Sequence, residues 1–194
     1  MKKIFLAIML SVFALVGNSI CSAKMPISEM YLGGITLGTS YNEIVRIYGK
    51  PTTAEYSTEA APTDDSNAPF AHYKYCSSVD IYVIGKKIRG ITVTENNGWK
   101  TPSGIAVDSN ISDVLDLYGN PDYTESGNFK TAYCYFGEMY YDKDTKSNSP
   151  EFGFIILFNK NSGKILQMEI NKGDWGIGFG ESEHYKDIMQ GMVK

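Results

Sequence analysis

"GGITLGTSYNEIVRIYGKP" (residues 33–51) and "SGIAVDSNISDVLDLYGNP" (residues 103–121) are two versions of one stretch, set 70 residues apart. In the first, Tyr41, Ile44, Val45 and Tyr48 fall at i, i+3, i+4 and i+7; in the second, Ile111, Val114, Leu115 and Tyr118 do the same. This spacing lines one face of a helix. Ser40 followed by Glu43 is a capping-box start, and Asn110 with Asp113 is a weaker form of it. Gly49 and Gly119 can end each helix with a positive φ, and Pro51 and Pro121 forbid its resumption. Each copy therefore predicts a helix of about nine residues. So short a helix is marginal alone in water. Four buried side chains at roughly 1.5–3 kcal/mol each sustain it only against a flat apolar surface.

The residues that follow supply such a surface. After the first helix come "AHYKYCSSV" (71–79), "DIYVIG" (80–85) and "KIRGITVTE" (87–95); after the second come "TAYCYFGEMYYD" (131–142), "FGFIILFN" (152–159) and "KILQMEIN" (164–171). These are β-branched and aromatic runs of strand length separated by turn residues. Ile88, Ile91 and Val93 align with Ile165, Met168 and Ile170, and "YKYC" (73–76) aligns with "TAYC" (131–134) after a twelve-residue insertion in the first copy. The pattern predicts an α+β fold of two tandem repeats, residues 30–95 and 101–172. Each repeat is a short helix packed on a three- to four-stranded antiparallel sheet. "NNGWKTP" (96–102) joins them, with Trp99 either anchoring the junction or offering a ring for a ligand. Residues 173–194 form a Gly-rich tail, either a loose end or a strap across the sheet.

At the other end, Lys2 and Lys3 precede the apolar run "IFLAIMLSVFALVG", too short to span a bilayer. Cys21 and Ala23 suit the positions before a signal-peptidase cut, so residues 1–23 are expected to be a cleaved signal peptide and the protein secreted or periplasmic. Asn18 and Ile20 depart from what lipoprotein processing at Cys21 requires. Loss of the leader takes the net charge from −4 to −6, which argues against nucleic acid or anionic lipid as partner. No later segment is long and apolar enough for a transmembrane helix. The oligomeric state is not encoded in any pattern found.

A helix closing on "YG-x-P", followed by three strands, duplicated behind a leader, resembles the fold of β-lactamase inhibitory protein and of the BamE (SmpA/OmlA)-type outer-membrane assembly lipoproteins. It also resembles repeats of uncharacterised exported bacterial proteins. The residues that carry the resemblance are "GITLGTSYNEIVRIYGKP" and "GIAVDSNISDVLDLYGNP". In the inhibitor the two units set their sheets side by side as one surface that grips a partner protein. The resemblance implies that layout and no contact residue, because the matched motifs are the starts and ends of helices. Asp108 stands where the first copy has Gly38.

Few residues suggest chemistry. Cys76 and Cys134 fall at aligned positions, which leaves open a disulfide or two free thiols. His72 and His184 are the two histidines, with no Ser elbow, C-x-x-C or Cys–His–Asn set beside them. Asp142 and Asp144 are spaced as in a calcium loop, but Lys146 and Ser147 stand where a third ligand and the turn glycine belong. No catalytic residue, metal ligand or cofactor is expected. Fourteen tyrosines favour contact surface or half-buried sheet. Tyr73, Tyr75, Tyr133, Tyr135 and Trp99 are the candidate partner contacts, unless their face lies beneath the helices. The leading expectation is an exported non-catalytic binding module that contacts a protein or cell-envelope polymer through its sheet face and loops. The alternatives are an assembly factor of the envelope and, third, a secreted enzyme.

Overall fold

The computed structural model describes residues 25–60, 69–142 and 147–172. The expected signal peptide with its cut after Ala23 and the tail 173–194 lie outside the described residues. Helix α1 spans Tyr41–Tyr48 and α2 spans Ile111–Tyr118. Ser40 Oγ accepts from the Glu43 N–H at 3.2 Å, and Asp113 Oδ2 accepts from the Asn110 N–H at 3.4 Å. Gly49 (φ 78°, ψ −163°) and Gly119 (φ 70°, ψ −161°) end the helices in a region that a Cβ disfavours. Each start is tied to the hairpin turn before a later strand: the Tyr41 N–H donates to Lys86 O and the Ile111 N–H to Gly163 O. Asp108 keeps the positive φ of Gly38, 70° against 79°, a conformation Asp tolerates better than most side chains.

The strands are β1 (Thr53–Ala60), β2 (Pro69–Tyr75), β3 (Val79–Ile84), β4 (Lys87–Val93), β5 (Tyr123–Ser126), β6 (Lys130–Phe136), β7 (Met139–Asp142), β8 (Ser147–Pro150), β9 (Phe152–Asn159) and β10 (Ile165–Lys172). Eight of them form one antiparallel sheet in the order β1-β2-β3-β4-β10-β9-β6-β5; β7 and β8 make a separate ribbon. This corrects the expected fold class. In place of two tandem helix-on-sheet repeats, the described residues build a single, mostly β structure with two short α-helices. The physical cause is the pairing of β4 with β10, from Met168↔Val93 to Asn171↔Gly90. Joining them removes two exposed strand edges, each a template for unwanted pairing. The register is symmetric about the Thr92↔Glu169 pair, since Met168 faces Val93 as Ile170 faces Ile91.

"TAYCYFGEMYYD" is not one strand. Phe152 lies so close to Gly137 that a Cβ there would collide with its ring, and β6 stops at Phe136. The core lies between the helices and one face of the sheet. Ile44, Val114 and Tyr118 pack with Tyr73, Tyr75, Ile81, Ile91, Tyr135, Phe154, Met168 and Ile170 in one buried cluster.

Candidate functional site

Alternation along each strand divides the sheet into a face under the helices and a face opposite them. Tyr73, Tyr75 and Tyr135 are buried on the helix face, with Tyr133 half-buried beside them. Tyr73 stacks on Tyr41 of α1 at 4.4 Å. The Tyr75 hydroxyl donates to Gly49 O (3.1 Å) and the Tyr135 hydroxyl to Gly119 O (3.0 Å), so both close the helix ends. Burial pushes the Tyr75 hydroxyl up to about 12, and those of Tyr73 and Tyr135 higher still. Trp99 is buried and stacked on Tyr48 at 4.6 Å. The candidate contacts are therefore corrected: these five side chains face the interior of the protein, where β-branched and aromatic surface is used up in packing.

The cysteines are corrected as well. Thr53 pairs with Lys74, and Tyr123, 70 residues later, pairs with Cys134. Cys134 therefore corresponds to Lys74, and Tyr135 to Tyr75; the alignment that set Cys134 against Cys76 slips by two residues. The two cysteines are not joined to each other: Cys76 is exposed and Cys134 buried. Cys76 follows β2 directly and Cys134 is on β6, five strand spacings away, about 24 Å and far beyond the reach of a disulfide.

The face opposite the helices holds an ordered polar cluster. Glu55 of β1, His72 of β2 and Tyr82 of β3 are cross-strand neighbours, as are Lys74 and Asp80 in the next row. His72 Nε2 lies 2.5 Å from Asp80 Oδ1, and Nδ1 lies 3.6 Å from Glu55 Oε2. Lys74 Nζ reaches the same Asp80 oxygen at 3.4 Å. The His72 ring stacks on Tyr82 at 4.7 Å and 8°, and Tyr82 stacks in turn on Phe70. Burial, with help from Asp80, Glu169 and Glu55, pushes the Tyr82 hydroxyl up to about 12. The side chains of His72 and Asp80 remain 15 % and 19 % exposed, so the cluster is fixed yet open to solvent.

This row runs on through Thr92 to Glu169 of β10, whose carboxyl is buried at the junction of β4 and β10. Burial raises it to about 7, against the opposing effect of the Gln167 amide, which donates to Oε2 at 3.0 Å. Beyond Glu169 the face turns apolar, with Ile155 and Leu157 of β9 and Ala132 and Cys134 of β6 forming a second buried cluster. Sequence reading missed Glu55, Lys74, Asp80, Tyr82 and Glu169. Their period-two offset from the buried tyrosines was the available signal, had the buried face been known.

Both His72 nitrogens face carboxylates, Asp80 within hydrogen-bond distance of Nε2 and Glu55 beyond it from Nδ1. Among the described residues no group of three or more His, Cys, Asp or Glu could hold a metal ion. Asp144 lies outside the described residues, while Asp142 pairs with Ser147 in the ribbon. Among the described residues no helix is long and apolar enough to cross a membrane. His184 lies outside the described residues.

No family model matches the chain, and no curated protein is similar to it in sequence. Among solved structures it is similar to an extracellular protein containing an SCP domain from Bacillus anthracis str. Ames (10 % identity, TM-score 0.46, 79 % of this chain and 47 % of that one). It is also similar to a cysteine-rich secretory protein from Staphylococcus aureus subsp. aureus Mu50 (12 %, 0.46, 75 % and 46 %). The chain spans about half the length of each. The single, mostly β sheet with two short α-helices corrects the resemblance to the tandem helix-on-sheet repeats of β-lactamase inhibitory protein and BamE-type lipoproteins.

Proposed function

We propose that this chain is an exported, non-catalytic binding module that grips a protein or cell-envelope polymer through the polar half of the sheet face opposite the helices. The observation that carries the reading is the cluster of Glu55, His72, Lys74, Asp80 and Tyr82, held rigid by ion pairs and ring stacking while still open to water. A preorganised polar surface loses little entropy on binding and offers charges of both signs to a complementary partner. Export rests on the leader-like Lys2–Lys3 and apolar run of the sequence. The turning of both His72 nitrogens to carboxylates favours binding over catalysis.

The test compares capture of secreted proteins and envelope polymers by the mature chain and by two variants. Lys74→Ala with Asp80→Ala disrupts the cluster; Glu43→Ala with Arg46→Ala removes the exposed pair on α1 as a control. The reading expects affinity for the captured partner to fall about tenfold or more in the first variant only. Equal affinity in both variants overturns it.

A further inference from the structure

The two outer edges of the sheet are unlike each other. Among the described residues β1 has one neighbour, β2, and β5 has one neighbour, β6, so each offers a row of backbone N–H and C=O groups to an incoming strand. β5 is four residues long and keeps its acid against the sheet: Glu125 is half-buried and its Oε2 is cut off from solvent. β1 is eight residues long, and Thr53, Ala54, Glu55 and Tyr56 are all exposed. At the positions corresponding to Glu125 and Ser126 stand Glu55, its side chain 75 % exposed, and Tyr56, 71 % exposed.

We propose that an extended, basic segment of a partner protein adds to the open edge of β1 as a further strand, with a Lys or Arg beside Glu55 and an apolar side chain beside Tyr56. The proposal rests on the reading above and deepens it, naming the partner as a protein and its docking segment as a strand beside the polar cluster. In such strand addition the backbone supplies affinity and the alternate side chains supply choice. Glu55 pairs with His72 on the face away from the helices. Tyr56 lies on the helix face, where its ring meets that of Tyr73 at 6.0 Å and 82°. Consecutive residues of an added strand point to these same two faces in turn.

Charge selects the occupant. "TAEYSTEA" (53–60) carries two acids and no base, and the whole chain has a net charge of −4. His72 leaves Glu55 free to take a second partner, because Nδ1 stands 3.6 Å from Oε2. A basic side chain across from Glu55 makes a favourable cross-strand pair, whereas a second copy brings an equally acidic edge and sets like charges together.

The experiment titrates the mature chain into a dye-labelled octapeptide of four Lys-Val repeats and reads its fluorescence anisotropy. The proposal expects saturable binding. Methylating every backbone nitrogen of the peptide keeps its charge and removes its ladder donors, and should weaken binding about tenfold or more. Glu55→Lys should cost a similar factor. Glu43→Lys, which changes the net charge equally on the exposed surface of α1, should cost less than twofold. Equal binding of the parent and methylated peptides overturns the proposal without recourse to any variant, and so does equal binding by the two variants. A dimer in sedimentation that excludes the peptide assigns the edge to a second copy, and overturns it too. Capture by Lys74→Ala with Asp80→Ala separates the two claims. If capture falls there while the octapeptide ignores the edge, the strand proposal alone fails. If capture is unchanged there, the broader reading fails and this proposal with it.

Discussion

Glu169→Gln should abolish a pH dependence of stability that can be worked out in advance. The carboxyl sits on β10 opposite Thr92 of β4 and Ile155 of β9, flanked on its own strand by Gln167 and Asn171. Asp80 and Tyr82 of β3 share its face across β4. Burial raises the group from an ordinary 4.5 to about 7. Between these values the native state holds a proton that the unfolded chain has released. Unfolding free energy therefore falls as pH rises, by about 1.4 kcal/mol per pH unit, and levels off above pH 7. The full loss is about 3 kcal/mol. The Gln amide oxygen can still accept from Gln167 Nε2 and never ionises. Urea unfolding of the parent and of Glu169→Gln at pH 4, 6 and 8 checks the reasoning. The two should be nearly equal in stability at pH 4, with the variant ahead by about 3 kcal/mol at pH 8. A difference that stays constant with pH would mean that the carboxyl is not desolvated in the folded protein.

Three further outcomes follow from the packing. Ile44→Ala empties a fully buried position between α1 and the sheet and should cost about 2–5 kcal/mol in urea unfolding. Tyr135→Phe removes the hydroxyl that closes α2 on Gly119 O and should cost about 1–2 kcal/mol, with Tyr75→Phe behaving alike at α1. Gly119→Ala forces a Cβ into φ 70°, ψ −161° and should cost about 1–3 kcal/mol, seen as a lowered thermal midpoint.

Local features of this fold could be read from residues because they are written locally. Ser40 and Glu43, Gly49 and Pro51, and their counterparts around α2 state where a helix begins and ends. The hairpin turns between β3 and β4 and between β9 and β10 are similarly explicit. The merging of strands into one sheet was not readable from the strand residues themselves. Nothing in "KIRGITVTE" or "KILQMEIN" says that their free edges meet; that is a long-range choice made by edge pairing. Period-two alternation likewise identifies two faces without saying which one a helix covers. Tyrosine abundance then pointed to the wrong side, since the same amphipathic ring serves a core or an interface. The cysteine alignment slipped because a shared Tyr–Cys dipeptide was taken as its anchor. The true anchors are the hydroxyls of Tyr75 and Tyr135, which close the two helices in the same way.

Once that anchor is right, the candidate site follows from a contrast that the misalignment concealed. Four register positions on the face away from the helices are His72, Lys74, Asp80 and Tyr82 in one half and Ala132, Cys134, Ile155 and Leu157 in the other. The backbone frame is common to both, so strand geometry does not explain the difference. Side chains meant for water tolerate charge and keep it, as the 15 % and 19 % exposure of His72 and Asp80 shows. Side chains meant to be covered lose charge, because an unpaired buried ion costs several kcal/mol. Glu169 stands at the boundary between the two regimes and has the raised carboxyl expected of a buried acid. The proposed partner of the polar half would meet charges of both signs already paired with one another.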